Sequence, residues 1–173
     1  MQYNVSQLLR SPVGDTRAYA IEGGLDLVDD SGGERAVGGA VELIRTNQGI
    51  LVRVVATLSS AEECSRCLAP FEQPLALTFE EVFYPTIDPV SGYPLPPPPE
   101  PEAFLIDHNH VLDLSRAIRE YALMARPIQP LCREDCAGLC QTCGANRNET
   151  PCRCASATID PRWERLRQLQ PQE

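Results

Sequence analysis

The sequence predicts an α+β fold: a curved antiparallel β-sheet, one main helix and a cysteine-rich, zinc-binding C-terminal tail. Three observations support this prediction. Apolar and polar residues alternate around a turn at 47–49, which is typical of a half-buried hairpin. Residues 110–127 carry apolar side chains at helical spacing, and residues 131–154 hold six of the chain's eight cysteines.

The strands are predicted from period-two alternation. Residues 41–58 form a hairpin, since Gly49 can take the positive φ of a turn and the following run alternates. The apolar face of that run is Ile50, Val52, Val54, Ala56 and Leu58. A third strand covers 75–84, with Leu75, Leu77 and Phe79 on one face. A shorter strand at 18–28 is expected to break at Gly23 and Gly24.

The main helix is predicted over 110–127. Asp113 is a good N-cap because its carboxylate accepts hydrogen bonds from the first free N–H groups, and Pro127 ends the pattern. The apolar stripe, which should pack on the sheet, is Leu114, Ala117, Ile118, Tyr121, Ala122 and Ala125. A short helical turn is expected over Leu8 and Leu9, capped by Asn4 or Ser6.

Two domains are predicted, a body and a tail. Residues 1–131 form the α+β body, because a 173-residue chain with 43% hydrophobic residues can bury a substantial core. Within it, residues 85–102 include eight prolines and are expected to be a loop; a proline-motif ligand is the alternative. Residues 132–173 form the cysteine-rich tail, with a short terminal helix that begins at Asp160 and Pro161.

Charge is distributed unevenly between these parts. The net charge is −9: residues 1–131 hold nine arginines against eighteen acidic residues, and residues 132–173 hold six of each. The acidic body argues against tight non-specific binding to nucleic acid, which needs a basic footprint. Any RNA contact is therefore expected at the arginines of the tail, unless these are simply a solvated surface. They are Arg133, Arg147, Arg153, Arg162, Arg165 and Arg167.

The first residues lack the basic start, apolar run and cleavage site of a secretory signal, and no stretch approaches the roughly 20 apolar residues of a membrane span. We expect a cytoplasmic protein without a membrane partner. Cytoplasmic thiols stay reduced, so clustered cysteines there favour metal binding or redox chemistry over disulfides.

The spacing of the cysteines predicts two structural zinc sites. Zinc takes four thiolate or nitrogen ligands in a tetrahedron, and a C-x-x-C turn supplies two of them. The C-terminal cluster reads C-x2-C-x8-C-x-C, with Gly144 allowing its turn, and supplies four ligands alone: Cys140, Cys143, Cys152 and Cys154. The remaining four cysteines make the other site: Cys64, Cys67, Cys132 and Cys136. The alternatives are one zinc ion with mixed ligands, or cysteines that are free or in disulfides.

Nothing in the sequence predicts an enzyme or a small-molecule substrate. A catalytic zinc keeps an open position and usually has histidine or carboxylate ligands. The only histidines, His108 and His110, are better explained as an exposed turn before the helix. The sequence contains no Ser-His-Asp set, nucleotide-binding glycine loop or H-E-x-x-H motif.

The stretches PLCREDCAGLCQTCGANRNETPCRC, DPRWERL, ECSRCLAPFEQPL and LDLSRAIREYALMARPIQPLC resemble the signatures of the YceD family, the large ribosomal RNA subunit accumulation proteins. The resemblance covers about residues 1–168, and matches all eight cysteines to the family's cysteines. It implies a non-enzymatic role in large-subunit biogenesis and 23S rRNA accumulation. The proline-rich stretch at 94–101 departs from the family pattern.

The expected partner is a pre-ribosomal particle, through rRNA or a basic ribosomal protein, which the acidic body would suit. Two other functions stay open. A zinc-thiolate redox-switched chaperone would lose zinc on oxidation and gain holdase activity. A zinc-ribbon adaptor in transcription would co-purify with polymerase rather than with ribosomal particles.

Overall fold

The computed structural model describes residues 1–27, 33–154 and Arg162. The chain divides into two compact units. The sheet unit comprises Met1–Glu62 and Phe71–Pro130, and the cysteine unit comprises Glu63–Pro70 and Leu131–Glu173. The predicted terminal helix after Asp160 lies outside the described residues, apart from Arg162.

The described residues form seven strands and two helices, which confirms an α+β fold. They are β1 (Gln2–Asn4), α1 (Ser6–Arg10), β2 (Thr16–Asp26), β3 (Glu34–Arg45), β4 (Ile50–Glu63), β5 (Pro70–Pro85), β6 (Phe104–Ile106), β7 (Val111–Asp113) and α2 (Ser115–Ala125). One sheet has the order β2-β3-β4-β5-β6, and β1 pairs with β7 in a second, two-stranded sheet. The large sheet is mostly antiparallel, but β6 runs parallel to β5.

The predicted hairpin is confirmed as β3 and β4, and both strands extend beyond the predicted range. Arg45 pairs with Ile50 at the turn, and the N–H of Thr46 donates to the carbonyl of Gly49 at 2.9 Å. The predicted apolar face of β4 is buried along its whole length. Leu75, Leu77 and Phe79 of β5 are also buried, so the period-two pattern located the core of the sheet.

The expected break at the two glycines of β2 is wrong. Gly23 pairs with Val37 and Gly24 with Ala36, so the strand continues through both to Asp26. A sheet ladder uses backbone N–H and C=O groups, which glycine supplies as well as any residue. Eleven paired residues along β3 therefore outweigh the intrinsic cost of two glycines.

The main helix is confirmed, but it begins at Ser115, later than predicted, because Val111–Asp113 pairs with β1 as β7. Asp113 is not the N-cap, although its Oδ1 accepts a hydrogen bond from the Ser115 N–H at 2.9 Å. The apolar stripe packs on the sheet: the Tyr121 ring stacks on Phe79 with centroids 4.0 Å apart. At the other end of the chain, α1 buries Leu8 and Leu9 as expected, but the expected cap is wrong: the N-cap is Val5, and no side chain caps the helix.

Residues 85–102 form a loop, as predicted, but the loop has internal structure. Ile87 and Pro94 form an isolated bridge around a turn in which the N–H of Gly92 donates to the carbonyl of Asp88 at 2.9 Å. The missing N–H of Pro94 does not prevent this bridge, because its neighbours make the hydrogen bonds: the N–H of Asp88 donates to the carbonyl of Tyr93 at 2.8 Å, and that of Leu95 to the carbonyl of Thr86 at 3.0 Å. Among the described residues, no helix is both long and apolar enough to cross a membrane.

Candidate metal centre

Four cysteines from two distant stretches converge in the cysteine unit. Cys64 and Cys67 lie in the connection between β4 and β5, and Cys132 and Cys136 follow α2 in the chain. Sγ of Cys64 is 3.8 Å from Sγ of Cys136, and Sγ of Cys67 is 3.7 Å from Sγ of Cys132. All four sulfurs lie within 4.8 Å of one another, and three of the four residues are buried. We call this group the first tetrad.

The sulfur separations fit a tetrahedral metal ion. With Zn–S distances of about 2.3 Å, a tetrahedron has S···S edges of about 3.8 Å. A disulfide would instead bring two sulfurs to about 2.05 Å. The first tetrad has the spacing of four thiolates around one ion, so these residues could hold a metal.

The C-terminal cysteines form a second group, here called the second tetrad. The sulfurs of Cys140, Cys143, Cys152 and Cys154 also lie within 4.8 Å of one another. Cys143 is exposed, and the other three are half-buried. Across the described ranges, the two tetrads are the only groups of three or more side chains suited to a metal, and each consists of cysteine alone.

The first C-x-x-C turn has a specific backbone conformation. The N–H of Leu68 donates to the carbonyl of Cys64 at 2.9 Å, and the N–H of Cys64 donates to the carbonyl of Ala69 at 3.0 Å. Leu68 has φ of 58°, in the left-handed region of backbone conformation that residues other than glycine rarely adopt. This closed turn aims the sulfurs of Cys64 and Cys67 to the same side.

The second C-x-x-C turn repeats this pattern. The N–H of Gly144 donates to the carbonyl of Cys140 at 2.9 Å, and the N–H of Cys140 donates to the carbonyl of Ala145 at 2.9 Å. Gly144 has φ of 72°, so it occupies the position that Leu68 occupies in the first turn. Sequence analysis predicted the glycine turn but missed its counterpart, because leucine gives no signal for positive φ.

Backbone amides strongly favour ionisation of Cys64 in the first tetrad and of Cys140 in the second. The backbone N–H of Cys132 lowers the pKa of Cys64 to about 6, and the backbone N–H of Cys143 lowers the pKa of Cys140 to about 6. In contrast, burial beside the other thiols raises the pKa of Cys132 to about 12. Because metal ligands must be thiolates, a bound cation would displace the protons that the sulfurs otherwise share.

Two side chains outside the tetrads support Cys136. Asn148 Nδ2 donates to Sγ of Cys136 at 3.3 Å, and Arg66 Nη1 donates to its carbonyl at 3.0 Å. Burial raises the pKa of Cys136, but the hydrogen bonds from Asn148 and the Gly138 backbone outweigh burial and hold it below its ordinary value. Sequence analysis missed Asn148, whose only signal is its location between two second-tetrad ligands.

The structure describes four of the six arginines that were predicted to contact RNA. Arg133, Arg147, Arg153 and Arg162 are exposed, and Arg165 and Arg167 lie outside the described residues. Arg133 has partners within the cysteine unit: Nη2 donates to Asn148 Oδ1 at 2.6 Å, and Nε lies 3.3 Å from Asp135 Oδ1. The exposed arginines therefore lie on the unit that carries both tetrads.

The two histidines lie in the sheet unit, in the turn between β6 and β7. Asp107 Oδ1 accepts hydrogen bonds from the N–H groups of Asn109 at 2.9 Å and Val111 at 2.7 Å, which closes this turn. His108 is exposed and His110 is half-buried. Neither belongs to a group suited to a metal within the part of the chain that is described.

Comparison with known proteins identifies one family. Residues 52–170 match the family model described as "Large ribosomal RNA subunit accumulation protein YceD". Uncharacterized proteins of Mycobacterium tuberculosis and Mycobacterium bovis are each 30% identical over 121 residues, which is 69% of this chain and 55% of theirs. One from Mycobacterium leprae is 28% identical over 120 residues, 69% of this chain and 52% of its own.

The chain thus spans about half the length of the curated relatives that it matches. No solved structure matches it.

Proposed function

This chain belongs to the YceD family, and on that premise we propose that it is a non-enzymatic, zinc-stabilised factor for large ribosomal subunit biogenesis and 23S rRNA accumulation. The observation that carries the zinc part is the presence of two four-cysteine groups whose C-x-x-C turns share one backbone pattern. The ribosomal part is carried by the family description.

Zinc suits these groups because it accepts four thiolates without a redox change and without a geometry imposed by its d electrons. When bound, it would supply cross-links between chain segments. The first tetrad would join the β4–β5 connection to the chain that follows α2. The second would close residues 140–154 on themselves. A binding free energy of about 10–16 kcal/mol for such a site would add directly to folding.

The proposed role of zinc is structural. A catalytic zinc needs a position open to water or substrate, whereas four cysteines would fill all four positions around an ion in each group. The family description names accumulation of ribosomal RNA and no reaction. We therefore propose a binding factor that works in the cytoplasm, without a membrane or small-molecule partner.

The proposed partner is a pre-ribosomal particle. Exposed arginines on the cysteine unit would contact rRNA phosphates, which favour such cations. The acidic residues 1–131 would instead suit a basic ribosomal protein. Both contacts are compatible with one particle, since ribosomal particles present RNA and basic protein side by side.

The test is depletion of the protein in its own host, followed by a sucrose gradient with 23S and 16S rRNA quantified. We expect a selective fall in 23S rRNA and in large subunits. An unchanged ratio of 23S to 16S rRNA would refute the ribosomal role. Re-expression of the chain, with and without serine at Cys64 and Cys67, would then show whether the first tetrad is needed.

A redox-switched chaperone is the second candidate, and the exposure of Cys143 favours it. Peroxide would oxidise two thiolates of the second tetrad to a disulfide, with reduction of the peroxide to water and release of the ion. This candidate predicts holdase activity that appears after oxidation. Oxidation without such activity would remove it from consideration.

A further inference from the structure

A side chain from the second metal-binding segment contacts a ligand of the first. Asn148 lies in the eight-residue loop between Cys143 and Cys152, two ligands of the second tetrad. Its Nδ2 donates to Sγ of Cys136, a ligand of the first tetrad, at 3.3 Å. The distance meets the usual limit for a hydrogen bond to sulfur. One loop therefore connects two ligands of the second tetrad and donates a hydrogen bond to a ligand of the first.

The orientation of the Asn148 amide is determined by its other partners. Its Oδ1 accepts hydrogen bonds from the Ala137 N–H at 2.8 Å and from Arg133 Nη2 at 2.6 Å. The atom that faces two donors must be the oxygen, so the nitrogen faces the sulfur. The second proton of Nδ2 goes to Asn146 Oδ1 at 2.7 Å. Both ends of the amide have matched hydrogen-bond partners, and a flip of the amide would lose these hydrogen bonds.

Backbone contacts hold the same two segments together. The N–H of Leu139 donates to the carbonyl of Arg66, in the first C-x-x-C turn, at 3.0 Å. The N–H of Arg147 donates to the carbonyl of Gly138 at 2.9 Å. Gly138 has φ of 69°, and a Cβ there would lie 3.0 Å from the Arg66 carbonyl oxygen. Residues 138–139 therefore lie between the first turn and the Asn148 loop, and a side chain at Gly138 would make a tight contact with Arg66.

We propose that Asn148 couples the two metal sites, so that an ion in the second tetrad raises the affinity of the first tetrad for its own ion. The inference rests on the zinc role proposed above. An ion bound by Cys143 and Cys152 fixes both ends of the loop and holds Asn148 against Cys136. The donated hydrogen bond then stabilises the thiolate that ligates the first ion. Asn148 is a positioning residue, since it acts through Cys136.

The expected size follows from other metal sites, where loss of a side chain that hydrogen-bonds a ligand costs about 10- to 100-fold in metal affinity. Coupling between two binding equilibria is also reciprocal. An ion in the first tetrad must therefore raise the affinity of the second by the same factor. This equality is a sharper test than the change in either affinity alone.

The experiment measures zinc affinity in the full chain, by competition with a chromophoric chelator under anaerobic conditions. A variant with Cys140→Ser and Cys143→Ser leaves only the first site, and one with Cys64→Ser and Cys67→Ser leaves only the second. We expect each remaining site to bind about 10- to 100-fold more weakly than in the wild type, by equal factors. Unchanged affinity of the first site after loss of the second would overturn the coupling.

Variants at Asn148 show whether this side chain carries the coupling. Asn148→Asp keeps the acceptor for Ala137 and Arg133 but removes the donor to Cys136. We expect Asn148→Asp and Asn148→Ala to weaken the first site, and loss of the second tetrad to cause little further change in either background. Thr150→Ala, an exposed neighbour in the same loop, is the matched control and should leave both affinities unchanged.

Cadmium NMR adds a readout that general destabilisation would not move. Each tetrad should give its own cadmium resonance, and Asn148→Asp should shift that of the first tetrad while Thr150→Ala does not. Absence of any metal in the wild-type chain would refute the zinc role itself. Two ions that bind with independent affinities would refute only the coupling.

Discussion

Glu62 and Arg126 form a two-point salt bridge inside the sheet unit. Arg126 Nε lies 2.6 Å from Glu62 Oε1, and Arg126 Nη2 lies 3.1 Å from Oε2. The Glu62 side chain is 8% exposed and the Arg126 side chain 27% exposed. Ser60, which is fully buried, also donates to Glu62 Oε1 at 2.7 Å. The pair ties the end of β4 to the residue that follows α2.

Replacement of Arg126 by glutamine should destabilise the sheet unit by about 3 kcal/mol, because it removes a two-point ion pair from a buried carboxylate. The value is at the lower end of the usual range, since Arg126 is partly exposed. Urea unfolding of the zinc-loaded protein, followed by circular dichroism, measures it. The double variant with Glu62→Gln should recover part of the loss. A single variant as stable as wild type would show that the pair contributes little.

Asp113 should make the free energy of unfolding depend on pH in acidic solution. Burial raises its pKa, but hydrogen bonds from the Ser115 hydroxyl and N–H and from Gln2 outweigh burial and lower it to about 2. A carboxyl with a depressed pKa stabilises the fold above its ordinary pKa, 3.8 here. That stability is lost as the pH falls from about 4 to about 2.

Asp113→Asn is therefore expected to cost about 1 kcal/mol at neutral pH, a value discounted for the partial exposure of this side chain. The difference from wild type should vanish near pH 2, and unfolding midpoints measured between pH 2 and 7 would show this. A difference that stays constant across this range would argue against the assigned pKa.

Leu68 and Gly144 occupy the same left-handed position in the two C-x-x-C turns, so their substitutions should change stability in opposite directions. Leu68 has φ of 58° and is 54% exposed, so Leu68→Gly should relieve about 1 kcal/mol of backbone strain at little cost in burial. Gly144→Ala should cost about 1 kcal/mol through conformation alone, because nothing lies within 4 Å of its new Cβ. Thermal unfolding of both proteins checks the opposite signs.

If both variants shift stability in the same direction, the shared backbone pattern does not govern these turns. Gly14→Ala is a useful reference, since that glycine also has positive φ and open space around it but lies far from the cysteines in sequence. It should lower stability like Gly144→Ala without affecting metal binding.

Removal of metal should unfold the cysteine unit and spare the sheet unit. Every residue of the buried apolar cluster lies in the sheet unit, whereas the buried hydrophobic residues in the described part of the cysteine unit are Cys64, Cys67 and Cys136. Without ions, the cysteine unit loses its main source of folding energy. Amide-proton NMR with added chelator should show the signals of 131–154 collapse while those of β2–β5 persist. Signals that all persist would contradict a structural role for the metal.

The two tetrads and the centre of the sheet are predictable from the amino-acid sequence. Each tetrad follows from C-x-x-C spacing and from a count of eight cysteines, because a tetrahedral site needs four ligands. The β3–β4 hairpin follows from period-two alternation beside a glycine turn. The signals of the hairpin and of the second tetrad are local, because their residues are close in sequence. The first tetrad joins distant residues and follows from the count, since its four cysteines are those that the second tetrad leaves over.

Other features depend on partners that are distant in sequence, so they are visible only in the folded chain. Gln2 pairs with Asp113, which draws Val111–Asp113 into a strand and delays the start of α2. Pairing with β3 carries β2 through Gly23 and Gly24. The turn around Cys64 imposes positive φ on Leu68, and the packing of the loop brings Asn148 to Cys136. Intrinsic helix and strand propensities differ by about 1 kcal/mol per residue, and many long-range interactions together outweigh them. Such propensities therefore cannot predict these contacts.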